Sequence, residues 1–72
     1  MTLKEIGQKV RARRKLLRLR QKDLAELAGV TLRGLTDLEN GQANPTLKQL
    51  RKISDVLGLE FYVIERSRHA SS

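Results

Sequence analysis

The fold of this chain follows from residues 21–41, QKDLAELAGVTLRGLTDLENG. Two short runs with helical periodicity meet there, one ending at Gly29 and the other beginning after Thr31. Glycine adopts the left-handed conformation that ends a helix at little cost, and threonine is a favoured N-cap. The pattern therefore predicts two short helices, over about residues 21–28 and 32–39, joined by a tight turn.

The spacing within this stretch is that of a helix-turn-helix. If the first helix crosses the second steeply, it needs a small side chain at Ala25 and a permissive backbone at Gly29. Leu35 and Leu38 would anchor the second helix and leave its other face exposed. Each residue is ordinary alone, but all of them together, beside a strongly basic segment, favour DNA binding over accidental agreement.

A longer helix precedes this pair. Thr2 and Glu5 have the spacing of a capping box, and apolar residues recur after them at helical intervals. We therefore predict an amphipathic helix over about residues 3–18. Gly7 lies inside it and is expected to weaken it slightly.

The C-terminal part of the sequence predicts another helix followed by a strand. Thr46 and Gln49 form a second capping box, which predicts a helix over about residues 47–57. Gly58 ends it, and residues 59–65 are rich in β-branched and aromatic types, which predicts one strand. The polar residues that follow are expected to form a flexible tail.

A lone strand cannot satisfy its own backbone hydrogen-bonding groups, and this chain offers it no second strand. The economical solution is antiparallel pairing with the same strand of a second copy across a two-fold axis. The predicted dimerisation residues are Leu59, Phe61, Tyr62, Val63 and Ile64. The alternatives are a fifth, irregular helix or an extended tail packed on its own chain.

The charge of the chain points to a polyanionic partner. Its 72 residues include 15 Lys and Arg against 8 Asp and Glu, a formal net charge of +7. Nine of the basic residues and only one acid fall within residues 1–22. Such a concentration favours nucleic acid, because a duplex rewards several simultaneous phosphate contacts. A membrane surface is disfavoured, because the apolar residues of this basic segment are needed for the core.

Length and composition exclude other classes. The chain is long enough for one small domain. It has no cysteine, and its lone His69 has no second ligand beside it, so neither a metal nor another cofactor is expected. With no nucleophile beside a histidine and no glycine-rich phosphate loop, we expect no catalytic residues and no enzyme. No apolar run reaches the ~18–20 residues of a membrane span, so a cytoplasmic location is expected.

Residues 21–41, with Asn44-Pro45-Thr46-Leu47 after them, resemble the Cro and phage-repressor type of helix-turn-helix regulators, also called the XRE family. The resemblance covers roughly residues 3–58. It implies an all-α, lambda-repressor-like DNA-binding domain of four helices over residues 1–58. It also implies a bacterial, nucleoid-associated homodimer that binds double-stranded DNA at an inverted-repeat operator and represses transcription. The sequence departs from the family at Arg20, where a Thr or Ser cap is usual.

The second departure is the dimerisation strand at residues 59–65, in place of a further helix. It makes the chain similar to short HipB-like antitoxins, whose C-terminal strand pairs with that of a second subunit. This implies an antitoxin that binds a toxin such as a HipA-type kinase and autoregulates its own operon. Only the tail, residues 66–72, is left for toxin contact. The alternative from another class is a bridging module with weak, non-specific DNA binding, because the same fold occurs in transcriptional bridging factors.

The resemblance also assigns residues to the duplex. Those expected to face bases in the major groove are Thr31, Leu32, Arg33, Thr36 and Asp37. The fork of Arg33 fits guanine O6 and N7, with a phosphate contact as the alternative. Asp37 either accepts from a cytosine amino group or forms a salt bridge with a nearby arginine. Glu39 is expected to pair with an arginine of the first helix, and Gln21 to buttress the recognition helix. The expected phosphate contacts are Arg20, Gln21, Lys22, Asn40 and Gly41.

Overall fold

Four helices make up the regular structure of the described residues. The computed structural model describes residues 1–62 and 65, and its elements are α1 (Leu3–Leu16), α2 (Gln21–Ala28), α3 (Leu32–Glu39) and α4 (Leu47–Leu57). The predicted all-α class, the number of helices and the bounds of the last three are confirmed. No helix in the described part of the chain combines the length and the apolar character that a membrane crossing requires.

One apolar cluster holds the helices together. Leu24, Leu35 and Leu38 are almost completely inaccessible to solvent, and Ala25 is buried where α2 packs. The inward positions predicted from the helix-turn-helix spacing are therefore confirmed. The other buried apolar members are Val10, Ala28, Leu50, Ile53 and Leu57.

The helices begin where their caps predict. The hydroxyls of Thr2, Thr31 and Thr46 each accept a hydrogen bond from the backbone N–H three residues later, at 3.0–3.2 Å. Arg20 occupies the equivalent position before α2 and has no oxygen to offer. Instead its backbone N–H donates to the carboxylate of Asp23 at 3.0 Å, so this helix start keeps only the second half of a capping box.

Helix α1 ends at Leu16, two residues before the predicted end. Arg18 adopts a left-handed conformation with φ of 59°, and no other non-glycine residue of the described chain has a positive φ. The Leu19 N–H then donates to the Arg14 carbonyl at 3.0 Å, which completes a Schellman turn. Leu19 packs partly buried against the core. We infer that this burial offsets the strain at Arg18, which helix periodicity alone does not reveal.

Helices α1 and α3 cross at Gly7. This glycine is buried, and a Cβ atom there would clash with the carbonyl oxygen of Leu38 and lie 3.0 Å from that of Glu39. The sequence predicted only a slight weakening of the helix at this position. That expectation was incomplete, because the missing side chain lets the backbones of two helices approach each other.

The segment after α4 has no regular secondary structure over residues 59–62. Leu59 is partly buried against the core, whereas Phe61 and Tyr62 are exposed. Val63, Ile64 and the predicted tail at residues 66–72 lie outside the described residues. A strand that pairs with a second copy has no partner within one chain, so the strand predicted for residues 59–65 stays a prediction.

Candidate nucleic-acid interface

Helix α3 has one apolar face that is buried in the core and one face that is exposed to solvent. Leu35 and Leu38 point into the core, while Thr31, Leu32 and Arg33 are exposed at the start of the helix. The guanidinium of Arg33 forms no ion pair with any described residue. The first part of α3 therefore offers an unpaired fork to a ligand.

A polar cavity of about 420 Å³ lies beside this helix, where α1, the start of α2 and the end of α3 meet. It brings together Arg20, Gln21 and Asn40, three of the five predicted phosphate contacts. Its complete lining is Arg11, Arg14, Arg20, Gln21, Glu39 and Asn40. The first backbone N–H groups of a helix and nearby guanidinium groups both favour an anion.

Lys22 and Gly41, the other two predicted phosphate contacts, do not line this cavity. Lys22 is exposed on α2. Gly41 is half-buried and has a φ of 72°, which ends α3 in a left-handed turn. A Cβ atom at Gly41 would lie 3.0 Å from the Cα of Lys4, so this glycine is required by the turn and by close packing.

The floor of the cavity is a buried ion pair. Arg14 donates from Nε to Glu39 Oε2 at 2.7 Å and from Nη2 to Glu39 Oε1 at 2.9 Å. The side chains are only 9% and 1% exposed, respectively. These hydrogen bonds raise the pKa of the Arg14 guanidinium, against the opposing effect of its burial. The predicted pairing of Glu39 with an arginine of the first helix is confirmed.

The ion pair continues into a network across α2 and α3. Gln21 donates from Nε2 to Glu39 Oε1 at 3.1 Å. The Thr36 hydroxyl lies 3.3 Å from Gln21 Oε1 and 2.9 Å from the carbonyl oxygen of Leu32, and it donates to one of them at a time. The Gln21 amide is thus held between Glu39 and Thr36, in the geometry expected of a residue that buttresses α3.

Arg20 and Asp23 form an exposed ion pair at the rim. The guanidinium donates from Nε to Asp23 Oδ2 at 3.0 Å and from Nη2 to Oδ1 at 3.1 Å. These hydrogen bonds lower the pKa of Asp23 and raise that of Arg20. The pair is therefore present at neutral pH and is lost as the pH falls through the lowered pKa of Asp23.

Asp37 does not form the salt bridge that was predicted as one of its two roles. No described arginine or lysine lies within ion-pairing distance of its carboxylate. Asp37 is half-buried, beside Gln42 and Asn44. The two ion pairs of the described residues instead join Arg14 of α1 to Glu39, and Arg20, just before α2, to Asp23.

Two arginines of the basic segment have roles that the sequence did not predict. Arg13 donates from Nε to the carbonyl oxygen of Leu57 at 2.8 Å and so caps the end of α4. Arg11 lines the cavity but was not among the predicted phosphate contacts. Its spacing of three residues from Arg14 places both on one helix face, a signal that could have identified it.

The sequence is similar to a known family of proteins and to individual known proteins. The sequence model of a helix-turn-helix family matches residues 10–64. The immunity repressor protein of Bacillus phage phi105 is 36% identical over 59 residues, which cover 82% of this chain and 41% of that protein. The ImmF control region 10 kDa protein of the same phage is 31% identical over 62 residues, which cover 86% and 69%. The chain therefore spans less than half of the immunity repressor.

Proposed function

The chain belongs to the Cro and phage-repressor (XRE) family of helix-turn-helix regulators, and from this membership we propose that it is a dimeric, sequence-specific DNA-binding repressor of transcription. One observation carries the proposal: the guanidinium of Arg33, which pairs with no described residue, is exposed at the start of α3, and a cavity lined with arginines lies at the end of the same helix. A duplex can satisfy both features at once, with base edges facing α3 and phosphates facing the cavity.

In the proposed complex, the start of α3 enters the major groove. Arg33 donates two parallel hydrogen bonds to guanine O6 and N7. Leu32 is 48% exposed and has no hydrogen-bonding group, so it suits contact with a thymine methyl. Thr31 and Asp37 flank these positions. Thr36 is engaged with Gln21 and Leu32, so its contribution is to orient α3 more than to read a base.

The phosphate backbone is proposed to cross the cavity. Arg11 and Arg20 supply guanidinium groups at its walls, and Gln21 places the start of α2 against it. Asn40 closes the other side, with Lys22 and Gly41 nearby in sequence. The Arg20 side chain is 81% exposed while its guanidinium is paired with Asp23. A phosphate can therefore approach it from solvent.

The domain division and the dimer are also part of the proposal. Residues 1–58 form the DNA-binding domain, residues 59–65 pair with a second copy, and residues 66–72 form a tail. Two recognition helices related by a two-fold axis then fit successive major grooves, about 34 Å apart. Neither relative is named as an antitoxin, so we restrict the proposal to a repressor.

Selection of bound duplexes from a random pool, at about physiological salt, tests this function together with the role of Arg33. We expect the wild type to enrich an inverted repeat with half-sites about one helical turn apart. Arg33→Ala removes both donors to guanine, so preference at one base pair of each half-site should fall by about 1–3 kcal/mol. Preferences elsewhere in the site should remain.

Two results would argue against these assignments. If no motif is enriched while binding stays salt-sensitive, the bridging module becomes the better interpretation. If Arg33→Ala enriches the wild-type motif unchanged, Arg33 reads no base and other residues do.

Arg11→Ala tests the cavity as a phosphate site. Without the Arg11 guanidinium, each subunit should neutralise one phosphate fewer, which weakens binding to all sequences alike. The salt slope of log K should then fall by about 1 for each phosphate released. The measurement is the affinity for the selected duplex across a salt series. The control is Lys52→Ala, because Lys52 is exposed on α4, outside both the cavity and α3. Equal salt slopes of log K for the two variants would show that Arg11 contacts no phosphate.

A further inference from the structure

A groove of about 510 Å³ separates α4 from the segment that follows it. It is lined by Leu47, Leu50, Arg51, Ser54, Asp55, Leu59, Glu60, Phe61 and Tyr62. Leu47 and Tyr62 are each 75% exposed, and Phe61 is 42% exposed. Three of these lining residues, Leu59, Phe61 and Tyr62, belong to the proposed dimerisation segment. None of the proposed DNA contacts lines this groove. Exposed apolar side chains with charged ones beside them have the composition of a contact surface.

The exposed stripe of α4 carries opposite charges one helical turn apart. Leu47, Arg51 and Asp55 follow each other at intervals of four residues and therefore share one face. Arg51 and Asp55 are both exposed and form no ion pair with each other or with another described residue. The groove thus has an apolar end, a cation and an anion in line.

We propose that a second copy of the chain covers this groove, with its α4 antiparallel to the first, so that Arg51 of each subunit pairs with Asp55 of the other. In a two-fold interface, if residue i contacts residue j, then j contacts i. Two charges of opposite sign, placed symmetrically about the axis, then form two ion pairs at once. A register that set each residue against its own copy would instead oppose like charges.

The position of the groove favours a second copy of the chain as the molecule that covers it. Its second wall, residues 59–62, is the start of the segment proposed to pair with a second copy, so one interface continues from the strand onto α4. Closing it removes Leu47 and Phe61 from water, which supplies the apolar part of the contact. The inference rests on the proposed dimer but adds α4, its direction and its register.

Two variants of the full chain test the register. Arg51→Asp leaves two acids on the stripe, and Asp55→Arg leaves two arginines. Each variant alone should self-associate at least about tenfold more weakly than the wild type, because its homodimer opposes like charges. An equimolar mixture should recover association close to that of the wild type, as a heterodimer. Sedimentation velocity over a concentration series, with circular dichroism as a check of folding, measures this.

The mixture separates the interface from the helix itself. Like charges four residues apart disfavour α4 equally in each variant alone and in the mixture, so recovery on mixing can come only from contact between chains. Lys52→Asp makes the same change of charge on α4 outside the groove, and it should dimerise as the wild type does.

The contrary outcomes are distinct. A monomeric wild type would overturn the proposed dimer itself. A dimeric wild type whose two variants dimerise equally well alone would leave the dimer standing and exclude α4 from it. Variants that are folded and monomeric, and remain so when mixed, would contradict the proposed pairing of Arg51 with Asp55.

Discussion

Glu39→Ala is expected to lower the free energy of unfolding by about 3–5 kcal/mol, measured by urea denaturation. The substitution removes both hydrogen bonds that Glu39 accepts from the guanidinium of Arg14, and it leaves that charge in a site where the Arg14 side chain is 9% exposed. An unpaired buried charge costs far more than the pair contributes. Gln21 also loses its acceptor. A loss of this size is comparable with the whole stability of a small domain, about 5–15 kcal/mol.

Two controls isolate the uncompensated charge as the cause. The double variant Arg14→Met with Glu39→Leu removes both charges at similar volume, and it should be much more stable than Glu39→Ala. Asp37→Ala removes an acid of the same helix that has no ion-pair partner among the described residues, so its effect should stay within about 0.5 kcal/mol. If Glu39→Ala matched Asp37→Ala, the Arg14 guanidinium would have to reach water in the folded state.

The four helices could be predicted because local signals specify them. Threonine caps, glycine stops and apolar periodicity each act within a few residues, and three helices begin and end where those signals place them. The end of α1 is different. Arg18 takes a conformation that its side chain disfavours, and burial of Leu19 after it depends on helices distant in sequence. A local pattern cannot report such a tertiary contact.

The candidate site was predictable in kind but not in detail. The concentration of positive charge predicted a nucleic-acid partner, yet neighbouring arginines of α1 make different contacts. Arg13 caps α4, Arg14 is buried against Glu39, and Arg11 lines the cavity. Periodicity places a residue on a face of its helix. The way the helices cross then decides which carbonyl or carboxylate lies opposite that residue. The pairing of Glu39 was foreseeable because an acid at the end of α3 needs a cation nearby.

Gly7→Ala is expected to destabilise the domain by about 2–3 kcal/mol, although alanine is the better helix former by about 1 kcal/mol. The added methyl group would overlap the carbonyl oxygen of Leu38 and press on that of Glu39. Both are backbone atoms at the end of α3, so no side-chain rotation relieves the clash and the two helices must separate. Thermal unfolding of the variant and the wild type measures the loss.

Gly34→Ala is the matched control, because it adds the same methyl group inside another helix. There the new atom would meet only the hydroxyl of Thr31, at 2.9 Å, which belongs to a side chain that can move. The gain in helix propensity and the disturbed cap should nearly cancel, leaving stability within about 1 kcal/mol of the wild type. Equal stabilities for the two variants would mean that α1 and α3 tolerate a wider separation, and that Gly7 is not needed for their close approach. A large loss at Gly7 alone would instead show that the stability of the domain depends on the close approach of α1 to α3, the helix that carries Arg33, at a residue without a side chain.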